Sequence, residues 1–218
     1  MKEKVAVTTV EGKAYFLIVN QLREQNILFE SLVPGDPVPP DVKVVITTEA
    51  EKHLVNYEKK LIFHDEGELD KIVTEVKIIL RGKQAYEKIV IGIDPGEVIG
   101  LAAIADGNTI LETNCFNIQE VISCITKMVR NFNFLLTKIS IKIGNGVAIY
   151  KELLKALDEA LPLEIMLEVV GEAGTNKPLK ENKRSRRIRH ICSAIRIAGR
   201  NGDIIPRSKT IATNSRNQ

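Results

Sequence analysis

Residues 88–96 read KIVIGIDPG, and residues 97–116 continue as EVIGLAAIADGNTILETNCF. Three apolar runs, rich in β-branched residues, are separated here by short turn sequences, which is the pattern of consecutive strands. Between the second and third runs, Asp106, Gly107 and Asn108 tolerate the positive φ that tight hairpin turns require. The stretch therefore predicts three consecutive antiparallel strands.

Helices and strands alternate after this point. The apolar spacing predicts a helix at 117–131, a strand at 138–144, a helix at 147–160, a strand at 163–170 and a helix at about 183–200. The predicted order is βββαβαβα, which makes this part of the chain an α/β domain with a mixed sheet.

The first 85 residues have a different pattern, in which β-rich runs alternate with amphipathic helical stretches. This pattern predicts a small parallel α/β domain. Residues 33–41 contain four prolines and are predicted to form an exposed loop, because proline neither continues a helix nor donates to a sheet. We expect a domain at 1–85, a second at about 88–202, and a basic C-terminal tail at 203–218.

Composition excludes several classes of protein. The chain has 218 residues, 44% of them hydrophobic, but no apolar run of the roughly 18 to 20 residues that would span a bilayer. Its N-terminus does not resemble a secretory leader, so we expect a cytoplasmic protein without a membrane partner. Cys115, Cys124 and Cys192 form no CxxC pair, and we expect buried free thiols.

Positive charge is concentrated at the C-terminal end. Residues 171–218 contain 12 lysines and arginines against three acids, whereas the rest of the chain contains 19 basic and 25 acidic residues. A cationic segment on an otherwise acidic chain is typical of a protein that binds a polyanion. The sequence therefore favours DNA or RNA as a partner over the phosphates of a membrane.

Four motifs resemble those of a known family. They are residues 92–96 (GIDPG), 144–146 (GNG), 170–174 (VGEAG) and 193–200 (SAIRIAGR). Their order and spacing resemble the RNase H-like domains of the RuvC and YqgF type, most closely the YqgF-like domain of Tex proteins. The resemblance covers about residues 88–202 only. It implies an RNase H-like fold in which the first and fourth strands are neighbours, and it places Asn145 among residues that contact nucleic acid.

Asp94 and Glu172 are the candidate metal ligands. Each follows a predicted strand, and Mg²⁺ prefers carboxylate oxygens that converge from separate elements. The related nucleases complete this site with an aspartate on the last helix, but that helix contains no acid here. Asp203, just beyond the helix, is the remaining candidate for a third catalytic carboxylate, whereas Asp106 is expected to point away. We therefore expect a degenerate site.

The last helix is the stronger functional signal. Ile188, Ile191, Cys192, Ile195 and Ala198 recur at helical spacing and predict an apolar face. The arginines lie on a separate stripe without acidic partners for i,i+4 pairing, which favours contact with phosphates. The residues predicted to contact the nucleic-acid backbone are Lys177, Lys180, Lys183, Arg184, Arg186, Arg189, Arg196 and Arg200. No aromatic residue lies after Gly171, so base stacking is not expected from this segment.

Three functions remain open. The favoured hypothesis is a nucleic-acid-binding RNase H-like protein with a degenerate metal site, whose front domain acts as an adaptor or forms a homodimer. The alternative is a Mg²⁺-dependent, structure-specific endonuclease that resembles Holliday junction resolvases. The third is an ATP-binding protein of the actin and sugar-kinase group, although the front 85 residues lack the opening DxG motif of that group. His190, within the arginine run, is expected to be a surface residue.

Overall fold

The protein consists of two compact units. The computed structural model describes residues 4–171 and 186–207, without the side chains of Arg186 and Arg187. The chain divides between Ala85 and Tyr86, and each unit contains its own sheet. Within the described ranges, no helix has the length and apolar character needed to cross a lipid bilayer.

The front unit is a parallel α/β structure, as the sequence predicted. Its strands pair in the order β2-β1-β3-β4, and every pair is parallel. The short β2 was not predicted, because Phe-Glu-Ser-Leu shows neither alternation nor a β-branched run. In chain order the elements are β1 (Lys4–Thr8), α1 (Gly12–Glu24), β2 (Phe29–Leu32), β3 (Val42–Thr48), β4 (Lys60–Phe63), a 3-10 turn (Glu66–Glu68) and α2 (Leu69–Leu80).

The core of the front unit lies between the sheet and its two helices. Val5 and Ile46 point from the strands into a cluster with Ile18 and Leu22 of α1 and Val76 of α2, all of them fully or almost fully buried. On the opposite face, strand residues Ala6 and Val45 form a smaller cluster with Val55 and Tyr57 of the connection between β3 and β4. The two helices therefore pack on one face of the front sheet.

The back unit has the predicted βββαβαβα order with one additional strand. The sheet order is β10-β9-β8-β5-β6-β7, so the first and fourth strands of the unit, β5 and β8, are neighbours. This is the strand arrangement of an RNase H-like fold. The elements are β5 (Lys88–Asp94), β6 (Ile99–Ala105), β7 (Asn108–Cys115), α3 (Ile118–Val129), β8 (Lys138–Gly144), α4 (Tyr150–Ala160), β9 (Met166–Val170), α5 (Arg186–Ala198) and β10 (Asp203–Ile205).

The hairpin between β6 and β7 forms at the predicted turn. Asp106 has φ of 47° and Gly107 has φ of 81°, as a tight hairpin requires. The Asp106 carboxylate accepts hydrogen bonds from the backbone N–H groups of Glu87 and Lys88. Asp106 therefore secures the start of β5, at the opposite end of that strand from Asp94, and the prediction that it points away is confirmed.

The two faces of the back sheet differ sharply in side-chain size. One face carries the buried isoleucines of β5 and β8, such as Ile91 and Ile141. The alternate positions of the same strands include Gly92 and Gly144, which α5 contacts. Right-handed crossovers place α3 and α4 together on the isoleucine face, so α5 is the one described helix of this unit on the glycine face.

Helix α5 lies directly on the sheet because glycine leaves it room. A Cβ at Gly92 would overlap the carbonyl of Ala194 and lie 2.8 Å from the backbone nitrogen of Ala198. A Cβ at Gly100 would overlap the carbonyl of His190. The close approach requires small residues on the helix, and Ala194 and Ala198 are buried accordingly.

The predicted apolar face of α5 is only partly correct, since Ala198 is buried and Ile191 and Ile195 are half-buried. The buried face centres on Ala194, Ile197 and Ala198, whereas Ile188 and Cys192 are exposed. The sequence pattern favoured the larger isoleucines, but the glycines of the sheet select the alanines instead. For the same reason Cys192 is exposed, and because Cys124 is half-buried, the expectation of buried thiols is fully met only at Cys115.

A buried ion pair holds the C-terminal end of α5. Lys142 of β8 lies 3.3 Å from the carboxylate of Glu168 on β9, and both side chains are nearly buried. The Lys142 ammonium also donates a hydrogen bond to the carbonyl of Arg200. A cation at a helix C-terminus is favourable because the helix dipole and the last carbonyls are negative there.

The chain after α5 returns to the sheet. Residues 203–205 form β10, which pairs antiparallel with β9, so this part of the predicted tail belongs to the domain. Arg207 then donates to Asp158 of α4 at 2.6 Å and to nearby backbone carbonyls. The remainder of the tail lies outside the described residues.

Candidate nucleic-acid interface

The described residues of three of the four predicted motifs lie at one edge of the back sheet. Parallel strands β5, β8 and β9 end at Asp94, Gly144 and Val170, and the backbone N–H of Asn145 donates to the carbonyl of Val170 at 3.1 Å. Asn145 is exposed and Asp94 is partly buried. We call this edge the carboxyl rim, defined by Asp94, Asn145 and Gly171.

His190 is the residue that the sequence analysis misjudged. Its Nδ1 lies 3.6 Å from the Oδ2 of Asp94, and its side chain is 31% exposed against 18% for Asp94. The fourfold spacing of His190, Ala194 and Ala198 places His190 on the buried face of α5. That spacing of small residues was the available signal, but the isoleucine pattern obscured it.

The described donors do not make a complete metal site. Asp94 and His190 supply one carboxylate and one imidazole, and no group of three or more histidine, cysteine or acidic side chains able to hold an ion occurs within the described ranges. Mg²⁺ prefers an octahedron of oxygens, and clamping two ions requires several carboxylates. These residues alone therefore do not fit a two-metal centre, and Glu172 lies outside the described residues.

Asp203 is not a substitute for the missing carboxylate. Asp203 pairs with Val169 of β9. Val169 in turn aligns with Ile143 of β8 and Ile93 of β5. Three strand spacings, about 14 Å, therefore separate Asp203 from β5. Aligned residues point to the same face, which puts Asp203 on the isoleucine face, whereas Asp94 points to the face of α5. The prediction that Asp203 reaches back to the site is wrong.

The predicted arginine stripe is only partly described, but its described members are accessible. Arg189 and Arg196 are exposed on α5, and Arg200 is partly exposed. No acidic side chain within residues 4–171 and 188–207 forms an ion pair with any of these three arginines. The side chain of Arg186, and all of Lys177, Lys180, Lys183 and Arg184, lie outside the described residues.

The geometry places this positive surface beside the carboxyl rim. Arg189 is next to His190, which contacts Asp94. From there α5 crosses the sheet toward Lys142, whose ammonium donates a hydrogen bond to the backbone carbonyl of Arg200. The exposed guanidinium groups therefore begin at the rim and continue along the outer face of the helix. Guanidinium groups donate to phosphate oxygens in a planar fork, so this surface suits a phosphate backbone.

The carboxyl edge of the front sheet has different chemistry. The Glu51 carboxylate accepts hydrogen bonds from the backbone N–H of Val10 at 2.9 Å and from the hydroxyl of Thr48 at 2.8 Å. Burial raises the pKa of Glu51, but the hydrogen bonds from Thr9, Val10 and Thr48 outweigh it and leave the pKa below its ordinary value. Glu51 is therefore ionised, and its carboxylate accepts hydrogen bonds from residues of the front unit.

Comparison with known families concerns the front unit. A family model described as a response regulator receiver-like domain matches residues 4–85. This range coincides with the front unit, whose strands are all parallel in the order 2-1-3-4. No curated protein matches the sequence significantly.

Three solved structures illustrate the structural neighbours. A Bacteroides thetaiotaomicron protein with an actin-like ATPase fold and unknown function has 10% identity and a TM-score of 0.30, over 54% of this chain and 43% of its own. The C-terminal lobe of a budding yeast Argonaute has 7% identity and a TM-score of 0.28, over 83% and 58%. Marinitoga piezophila Argonaute, in complex with 5′ OH guide RNA and target DNA, has 11% identity and a TM-score of 0.26, over 78% and 39%. The chain thus spans less than two thirds of each of these chains, and the RNase H-like fold is assigned from the strand order itself.

Proposed function

We propose that the back unit binds DNA or RNA through the phosphate backbone. The observation that carries this proposal is the exposure of Arg189 and Arg196 on α5, with no ion-pairing acid among the described residues. Like charges that are close together and unpaired repel one another, and a polyanion relieves this repulsion while releasing its counterions. Binding of this kind positions the protein without reading the base sequence.

The RuvC and YqgF resemblance is part of this proposal. The motifs at the ends of β5, β8 and β9 support it, because they lie along one sheet edge with Asn145 beside Asp94. In this hypothesis Asp94 and Glu172 would hold one Mg²⁺, and the missing third carboxylate would leave a two-metal centre incomplete. The front unit then serves as an adaptor or a dimerisation module of a cytoplasmic protein.

Charge reversal on α5 tests the proposal. Arg189→Glu and Arg196→Glu should each weaken binding to labelled duplex DNA and duplex RNA, measured by fluorescence anisotropy at low salt. Lys151→Glu is the matched control, because Lys151 is exposed on α4, on the other face of the sheet. An equal loss of affinity in all three variants would mean that only net charge matters. Undetectable binding by the unmodified protein would reject the proposal.

A metal-dependent endonuclease is the second candidate, and the contact between His190 and Asp94 favours it. The RuvC and YqgF resemblance implies an acid on the last helix, and here that helix carries the imidazole of His190 instead. Imidazole is a better ligand for Mn²⁺ than for Mg²⁺. Cleavage of single strands, duplexes, hybrids or four-way junctions that occurs with Mn²⁺ and disappears in both Asp94→Asn and His190→Ala would establish this function. Binding without cleavage of any of these substrates would leave the first proposal in place.

A further inference from the structure

Phe116 brings an aromatic ring to the carboxyl rim from a distant part of the sequence. It follows Cys115, the last residue of β7, and Cys115 pairs with Ile99 at the end of β6 nearest Asp94. The ring is apolar, yet the residue is 63% exposed. An exposed phenylalanine at the sheet edge that also carries Asp94 suits a partner that offers a flat apolar surface.

The local structure holds Phe116 in place without covering it. The backbone N–H of Phe116 donates to the Glu120 carboxylate at 2.8 Å, and the amide oxygen of Asn117 accepts from the backbone N–H of Glu120 at 2.9 Å. This reciprocal capping box fixes the start of α3. The residue before such a cap often packs against the helix, but here Val121 is buried while Phe116 remains exposed. The ring is therefore presented to solvent from a fixed backbone.

The register gives its distance from the site. Asn114 pairs with Gly100, and Gly100 pairs with Asp94, so two strand spacings separate Asn114 from Asp94. With two further residues along the chain, the Cα atoms of Phe116 and Asp94 lie about 12 Å apart. This span corresponds to about two to four nucleotides of one strand, which rises about 3.4 Å per nucleotide when stacked as in a duplex and up to about twice that when extended. A short single strand that contacts Phe116 can therefore also reach the part of the rim where His190 of α5 contacts Asp94.

We infer that Phe116 stacks on an unpaired base, so that the preferred ligand is single-stranded nucleic acid or a duplex with an unpaired segment. This inference rests on the proposed nucleic-acid binding and deepens it, because α5 alone offers only phosphate contacts. Every base has a π-face, so stacking of this kind adds affinity without sequence preference. A fully paired duplex keeps its bases stacked inside and gains nothing from the ring.

The sequence provides a sensitive test, because the chain contains no tryptophan. Phe116→Trp introduces a single indole at the rim, and Phe16→Trp is the matched control at a residue of the front unit that is 62% exposed. An oligothymidylate should quench the fluorescence of the first variant and not that of the second. Heparin, a polyanion without bases, should compete for binding without quenching.

Affinity provides the second readout. Phe116→Ala should weaken single-strand binding by roughly 5-fold to 150-fold while leaving binding to a fully paired duplex unchanged. Phe16→Ala should change neither. Thermal unfolding checks that Phe116→Ala leaves the fold intact.

The possible failures are distinguishable. If the unmodified protein binds both ligands but Phe116→Ala binds the single strand equally well, the stacking role is wrong and the phosphate-binding proposal stands. Quenching of Phe116→Trp by heparin as strong as that by oligothymidylate also overturns stacking, and indicates an acidic partner without bases. If the unmodified protein binds no nucleic acid, both the inference and the proposed function fail.

Discussion

Replacing Gly100 by alanine places a methyl group where α5 already lies. The new Cβ would overlap the carbonyl of His190 and lie 3.0 Å from the His190 Cβ. Because the main obstacle is backbone rather than the end of a flexible side chain, the helix must move outward by about 1 Å to restore van der Waals separation. The contact between His190 and Asp94 would then be disturbed as well.

The loss of unfolding free energy that we expect for Gly100→Ala lies at the upper end of the range for overpacked cores. Inserting one methyl group into a close-packed site costs about 1–3 kcal/mol, and lifting α5 also loosens the packing of the buried Ala194, Ile197 and Ala198. We therefore expect a loss of about 3 kcal/mol for the back unit. For a unit of this size the loss corresponds to a decrease in Tm of about 10 °C.

Differential scanning calorimetry is the appropriate assay, because the two units can unfold in separate transitions. Gly171→Ala is the matched control, since no atom of the described residues lies within 4 Å of a Cβ at that position, and its effect should stay within about 0.5 kcal/mol. The front unit provides an internal reference. If Gly100→Ala and Gly171→Ala have the same Tm, α5 does not lie on the sheet as described.

Three further predictions concern thiols, the buried ion pair and hydrolysis. Cys192 is exposed, so it should react with a thiol reagent in the native protein and be protected by bound nucleic acid. Cys115 is buried, and burial raises its pKa to about 11, so it should react only on unfolding. Equal reaction rates for the two thiols would contradict this prediction. Lys142→Met leaves the Glu168 carboxylate buried without its partner, so it should lower the free energy of unfolding by about 3 kcal/mol in urea titrations. The double variant Lys142→Met/Glu168→Gln should recover part of this loss. Hydrolysis should be absent or very slow, and Asp94→Asn should change only metal affinity in a Mg²⁺ titration; robust Mg²⁺-dependent cleavage that this variant abolishes would favour the nuclease.

Much of the fold follows from local patterns in the sequence. The alternating runs after residue 88, together with the positive φ at Asp106 and Gly107, predict the hairpin and the antiparallel strands that the structure contains. The parallel character of the front sheet follows from its alternating strands and helices. The short β2 and β10 could not be predicted, because three or four residues carry no measurable periodicity.

The site was harder to predict because it depends on contacts across the sheet. The orientation of α5 is determined by Gly92 and Gly100, which lie about 100 residues earlier in the chain. Within the helix, only the fourfold spacing of His190, Ala194 and Ala198 indicated this orientation, and the isoleucine pattern obscured it. Hydrophobicity favoured Ile188 and Cys192 as buried residues, and both are exposed. Motif spacing placed Asp94 and Asn145 correctly at the ends of their strands, but it could not bring His190 or Phe116 to the same edge.

The dependence of affinity on salt tests the central claim most directly. If four to six of the predicted cationic residues contact phosphates, a plot of log K against log[salt] for duplex DNA should have a slope of roughly −4 to −5. The double variant Arg189→Ala/Arg196→Ala should reduce the magnitude of this slope by about 2, at about 0.9 per lost contact, and should weaken unrelated sequences equally. Undetectable or salt-insensitive binding, together with a lower Tm in the double variant, would show instead that these arginines stabilise a contact within the protein.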